Sequence, residues 1–481
     1  MTWRDTTSLS YVCCAWRRIV IEAKQCFPEW RTTVLGPSST TRESLKLLQT
    51  NHLNWADTRF PPNLILFLVA SQDSTSWRRG KFWIEAITTI EKAHLLPANC
   101  QFIGIYTMHK VLGNEISIEN SNGIVLSVSV AHFPDTTLES AEYDRKVVKW
   151  SQQGLKLNDP FSDLKDDTIP CFLLFGVNTQ SADQLVQIVE NWYPGAAIIG
   201  TVSNVTDRCL PLVSYCKSKC HDSQHIQLQK QRQLHFPCTM LVRVHGNVSF
   251  RSFSANGYDP ITPIIQCNRV HLVDEFKHIM MYDIVSMEEL HSRLLDLLNP
   301  SDRLKIQQDS ALNLVSCSNK VPLEHLMNSS NRDFTSSERF TCLDVTISVD
   351  ETIQSQSICW SEGDYGILTL HDSTKTWSAL NQAFQHLQSN LFEANEQAFG
   401  AFITGGSITK VDEIDFVNNV RQVWTHVFQD LPVGGYIAST SVGPLALFRG
   451  LSSPCHNTIQ INTICGAIFY VKKRHICNRN Q

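Results

Sequence analysis

The chain has 481 residues, a length that by itself predicts about three domains. Its 42% hydrophobic and 18% charged residues describe an ordinary globular protein and exclude a fibrous or disordered one. A net charge of −5 without a basic patch argues against nucleic acid, no apolar run reaches the ~20 residues of a membrane helix, and Met1 to Asp5 shows no signal region, so a cytoplasmic or nuclear protein is expected.

Residues 8–24 read as an amphipathic helix with Leu9, Val12, Cys13, Trp16, Ile19 and Val20 on one face. The plain reading is a helix that packs on the body behind it. Residues 36–60 are polar and rich in Ser and Thr, the composition of a linker. Leu64-Ile65-Leu66-Phe67-Leu68 is then a continuous apolar run, and Ser71, Asp73, Ser74 and Ser76 break it. Ile84, Ile87 and Ile90 recur at helical spacing, and Phe102 to Ile105 makes a second strand. Residues 123–130 alternate like a strand with one partly polar face, and the charged stretch 137–167 reads as loop or exposed helix.

The same unit returns at Cys171 to Phe175, with a stripe of Leu185, Ile188, Val189 and Trp192 and a second strand at Ala197 to Ile199. Residues 205–236 are polar and basic, an exposed insertion. Thr239 to Val244 and Val248 to Ser254 flank His245-Gly246-Asn247, which predicts a tight hairpin. Ser286-Met287-Glu288-Glu289 is a capping box for a helix through Leu290, Leu294 and Leu298. Residues 299–340 read as a second polar insertion. Asp372 is expected to cap a helix bearing Trp377, Leu380, Phe384 and Leu387. The third unit runs from Phe399 to Pro444, with Val420, Val423, Trp424 and Val427 on its helix.

Continuous apolar strands joined through helices are buried on both faces, so the expected fold is α/β (α+β mixed), with mixed sheets and packed helices. Ligands of such sheets collect at the carboxyl ends of the strands. Gly176, Asn178, Gly200, Asn204, Thr404, Gly405, Gly406, Ser439, Ser441 and Gly443 lie there, and a shared ligand or substrate cleft is expected from them. Ordinary turn chemistry is the alternative reading of the same Gly, Ser and Asn residues.

Sixteen cysteines are many, but Cys171 and Cys465 lie in apolar runs and Cys13 in a helical stripe, where a free thiol acts as a small hydrophobe. Cys216, Cys220, His221 and His225 are too crowded for ordinary zinc spacing and read as a solvated loop, so no metal is expected. No nucleophile elbow, phosphate-binding loop, dinucleotide fingerprint or metalloprotease helix occurs, so neither a catalytic residue nor a cofactor is assigned.

Val12-Cys13-x-x-Trp16-Arg17, with Leu9 ahead of it, resembles the C-terminal part of an F-box. The remainder resembles FIST domains through Gly257-Tyr258-Asp259-Pro260, Tyr365 to Asp372, Ala401 to Gly406 and Gly435 to Pro444, in that order. Near Thr440 and Ser441 the family carries a glutamate that this chain lacks. The resemblance divides the chain into a partial F-box at 1–35, a linker at 36–60, a FIST N-terminal domain at 61–255 and a FIST C-terminal domain at 256–475. It implies a non-catalytic substrate-recognition subunit of a Skp–cullin–F-box ubiquitin ligase. Leu9, Val12, Cys13 and Trp16 would pack on the Skp adaptor with Arg17 at the rim, a cullin would be the scaffold, and the FIST lobes would hold a protein substrate for ubiquitination. The alternative within the resemblance is a sensory module for an amino-acid-like ligand.

Overall fold

The computed structural model describes residues 17, 27–51, 58–71, 80–92, 96–107, 111–113, 123–143, 157–161, 169–177, 179–202, 212–216, 236–272, 280–286, 298–307, 312–328, 340–347, 353–354, 361–394, 396–406, 412–438, 440–446 and 452–472. Its helices are α1 (Thr41–Thr50), α2 (Lys81–Lys92), α3 (Thr179–Trp192), α4 (Pro300–Gln307), α5 (Lys320–Asn328), α6 (Ser373–Glu393) and α7 (Asp412–Phe428).

Four sheets carry the strands. The first runs Glu29–Ser38, Ile124–His132, Leu64–Ala70, Gln101–Thr107, Leu212–Tyr215. The second runs Ser452–Gln460, Thr440–Ala446, Ile198–Val202, Cys171–Gly176, Thr239–Gly246, Thr136–Tyr143. The third runs Val248–Asn256, Thr463–Lys472, Glu396–Gly406, Val433–Ala438, Val111–Leu112. The fourth is antiparallel and centres on Leu312–Cys317, Tyr365–His371 and Ile265–Leu272.

The first three sheets share one plan. Each has a single parallel pair: Leu64–Ala70 with Gln101–Thr107, Cys171–Gly176 with Ile198–Val202, and Glu396–Gly406 with Val433–Ala438. Parallel neighbours cannot be joined by a tight turn, and α2, α3 and α7 are the crossovers that join them. Antiparallel strands flank every pair on both sides. These are the three repeated units expected from the apolar runs, and the fold is mixed α/β as anticipated.

Strand periodicity explains why those runs are apolar throughout. Leu64, Leu66 and Leu68 face a central core, while Ile65, Phe67 and Val69 face a second core with Phe82, Trp83 and Ile87 of α2. Leu173 and Phe175 join the same central core, and Phe172 and Leu174 pack with Leu185 and Val189 of α3. Phe402 also enters the central core, and Ala401 and Ile403 face α6 and α7. Three sheets thus turn their inner faces to one core, and each outer face is covered by its own helices. Trp30 stacks on Phe469 at 4.9 Å, tying the first sheet to the third.

Several expectations from the chain are corrected. Residues 36–60 are not a linker: Glu29–Ser38 pairs with Ile124–His132 along the edge of the first sheet, and α1 follows with Thr40 as its N-cap. The strand also crosses the expected boundary at residue 35. Thr239–Gly246 and Val248–Asn256 do not form a hairpin, because the chain changes sheets at Gly246, whose φ is +127°, and each strand pairs with other strands in its own sheet. The charged stretch after Thr136 starts as a strand, and its Glu139 meets Arg243 of the adjacent strand. The polar stretch 299–340 holds α4, the Leu312–Cys317 strand and α5. Leu212–Tyr215, inside the first expected insertion, pairs with Gln101–Thr107; residues 217–235 lie outside the described residues. A division at 255/256 does not separate the sheets either, since Val248–Asn256 pairs with Thr463–Lys472 and Thr440–Ala446 completes the second sheet.

Other expectations hold. Asp372 caps α6 by accepting from the Thr374 and Lys375 amides, and Leu380, Phe384 and Leu387 are buried on its inner face. The helix expected after the capping box at Ser286 falls on 287–297, outside the described residues; Ser286 itself ends the strand Met280–Ser286, and Leu298 is buried.

Candidate functional site

The parallel pairs of the second and third sheets bring their carboxyl ends together, and most of the described cleft residues meet there. Gly176 pairs with Val202, and Gly200 pairs with both Leu174 and Val442. Thr404 and Gly405 lie opposite Tyr436 and Ile437, and Gly406 opposite Ala438. Ser441 pairs with Thr201, and Gly443 with Thr458. Asn178, Asn204 and Ser439 lie outside the described residues, as do Leu9, Val12, Cys13 and Trp16; Arg17 is helical and exposed.

The expected loops at these places are strand ends instead. Glu396–Gly406 carries Thr404 to Gly406, and Thr440–Ala446 carries Ser441 and Gly443. The correction has a physical reason: small residues there allow backbones to approach. An ideal Cβ on Gly200 would stand 1.7 Å from the Leu174 carbonyl oxygen.

The hydroxyls of this seam donate to main-chain carbonyls. Thr404 Oγ1 donates to Gly200 O at 3.1 Å, from the third sheet to the second. Thr201 Oγ1 donates to Thr440 O at 3.2 Å, and Ser441 Oγ to Thr463 O at 3.0 Å. Thr107 Oγ1, at the end of the first parallel pair, donates to Ile437 O at 2.9 Å. Thr201, Thr404 and Ser441 have no solvent exposure, so these bonds satisfy groups that water cannot reach.

Sequence reasoning missed the partners of this seam. Tyr258 donates to Ile461 O and lies 3.0 Å from Thr463 Oγ1. Gln460 Nε2 donates to Pro444 O at 2.8 Å. Cys465 lies between Ser254 and Thr404 on adjacent strands, with Gln460 Nε2 3.8 Å from its Sγ. Burial, and then the neighbouring Cys342, push the Cys465 thiol well up from its ordinary value. Burial pushes Cys342 up to about 12, against the opposing hydrogen bond from Tyr258. Tyr436 is likewise raised by burial, opposed by Thr201. Protonated thiols and phenols are poor nucleophiles, so these groups suit packing and hydrogen bonding more than bond making. The sequence places Tyr258 in a motif and Cys465 in an apolar run but does not bring them to this seam, because each of these residues sits inside a strand and is gathered only by pairing.

A second buried polar group lies on the outer face of the second sheet. Arg243, 3% exposed, donates to Phe161 O at 2.8 Å, meets Glu139 and stacks 4.7 Å from the Phe161 ring. Tyr193 OH donates to Asp159 Oδ2 at 2.6 Å. Burial, followed by Asp159, pushes Tyr193 up to about 12. Such an arginine is costly to bury without its carboxylate, and here it anchors the segment around Phe161 to the sheet. Among the described residues no group of three His, Cys, Asp or Glu side chains is placed to hold a metal, and no helix is long and apolar enough to cross a membrane.

No family model and no curated protein matches the chain. Among solved structures it is similar to the structure of PurLQS from Thermotoga maritima, at 9% identity and a TM-score of 0.19 over 92% of this chain and 73% of that one, a likeness too shallow to carry any statement about fold or activity.

Proposed function

We propose that the chain is a non-catalytic substrate-recognition subunit of a Skp–cullin–F-box ubiquitin ligase, acting in the cytoplasm or nucleus. The resemblance at Leu9, Val12, Cys13, Trp16 and Arg17 supplies the adaptor contact, and the FIST-like body supplies the surface for a protein substrate. One observation favours this reading over the sensory one. The Thr404 and Ser441 hydroxyls of the expected cleft are already committed to carbonyl oxygens. A small ligand at those strand ends would have to displace bonds that hold two sheets together. A protein substrate asks nothing of them. The body then works as a rigid platform, and ubiquitination follows from holding the substrate close to a loaded conjugating enzyme.

Co-expression of the full chain with a Skp adaptor and a cullin, followed by gel filtration, tests this. A stable complex is expected. Trp16→Ala should weaken adaptor binding by roughly thirtyfold, since truncating an aromatic anchor costs about 2 kcal/mol. The melting temperature should stay within a degree or so of the parent, because a surface substitution away from the core costs about 0.5 kcal/mol at most. Failure of the unmodified chain to co-elute with any Skp adaptor would sink the proposal. A large fall in melting temperature would make the helix around Trp16 part of the core.

A further inference from the structure

No further inference is drawn: the strongest candidate, the buried cluster of Tyr143, Thr239 and Arg243 on the outer face of the second sheet, has polar atoms without partners but no common centre, and nothing in the structure shows what would occupy it.

Discussion

Cys465 and Gly200 show how single residues are constrained by the meeting of two sheets. Burial holds the Cys465 and Cys342 thiols protonated far above ordinary pH. Alkylation reports the thiolate, so at pH 8 iodoacetamide should modify the partly exposed Cys216 while Cys342 and Cys465 react only after unfolding. Peptide mass mapping of native and denatured protein reads the difference. Rapid native labelling of Cys465 would mean that the seam opens readily. At Gly200 the issue is space. A methyl group there collides with the Leu174 carbonyl, and the strands can relieve it only by parting. Gly200→Ala should therefore abolish soluble expression or lower the midpoint of chemical denaturation sharply. Thr404→Val is gentler: it keeps the shape but leaves the Gly200 carbonyl without its donor, at a cost of about 1–3 kcal/mol.

At the scale of an element, α1 carries a cap that responds to pH. Thr40 Oγ1 accepts from the Glu43 amide at 3.2 Å, and Glu43 Oε2 accepts from Ser39 N at 2.9 Å and from Ser39 Oγ at 2.9 Å. The two bonds from Ser39, the backbone one first, hold the Glu43 carboxyl below its ordinary value of 4.5. A lowered folded value means that the ionised form stabilises the cap. That contribution is present above the unfolded value and is lost as pH falls through the folded one. Amide exchange in residues 41–45 should accelerate, relative to the rest of the chain, as pH drops below about 4.5, after correction for intrinsic exchange. Glu43→Gln should flatten that dependence. An unchanged profile in the variant would assign the pH response to another group. The long α6 is held differently, by packing: Phe384 meets Trp424 at 5.1 Å and Phe253 at 5.1 Å, both edge to face. Its face was visible in the 3.6-residue spacing because one side of a helix must match one core.

The whole molecule is interlaced rather than divided. Thr440–Ala446 and Ser452–Gln460 come from late in the chain yet complete the second sheet, whose parallel pair comes from 171–202. Val111–Leu112 goes the other way and joins the third sheet. Residues of all three sheets fill the central core. A fragment ending at residue 255 would expose the open edge of Ile198–Val202 and the side of that core that Phe399, Phe402, Tyr436 and Phe469 cover, and an unpaired apolar edge aggregates. Expressed alone, residues 1–255 and 256–481 should each be insoluble or lack a cooperative transition, whereas the intact body should melt as one unit. Two soluble, independently melting fragments would contradict this picture.

What could be read before folding was whatever depends on near neighbours in the chain. Leu64 to Leu68, Cys171 to Phe175 and the run from Phe399 to Ile403 announced buried strands. The spacing of Leu380, Phe384 and Leu387 announced a helix, and Asp372 its cap. Each of these signals is local, because a strand buried on both faces must be apolar at every position. Which strand pairs with which was not local. The hairpin expected at Gly246 fails because Thr239–Gly246 is held by Cys171–Gly176 and Thr136–Tyr143, while Val248–Asn256 is held by Thr463–Lys472. The gathering of Gly200, Thr404 and Ser441 was anticipated, but their role was decided by tertiary contact. Only when two sheets close do those hydroxyls find carbonyl partners across the seam, and only then do Tyr258, Gln460 and Cys465 become their neighbours.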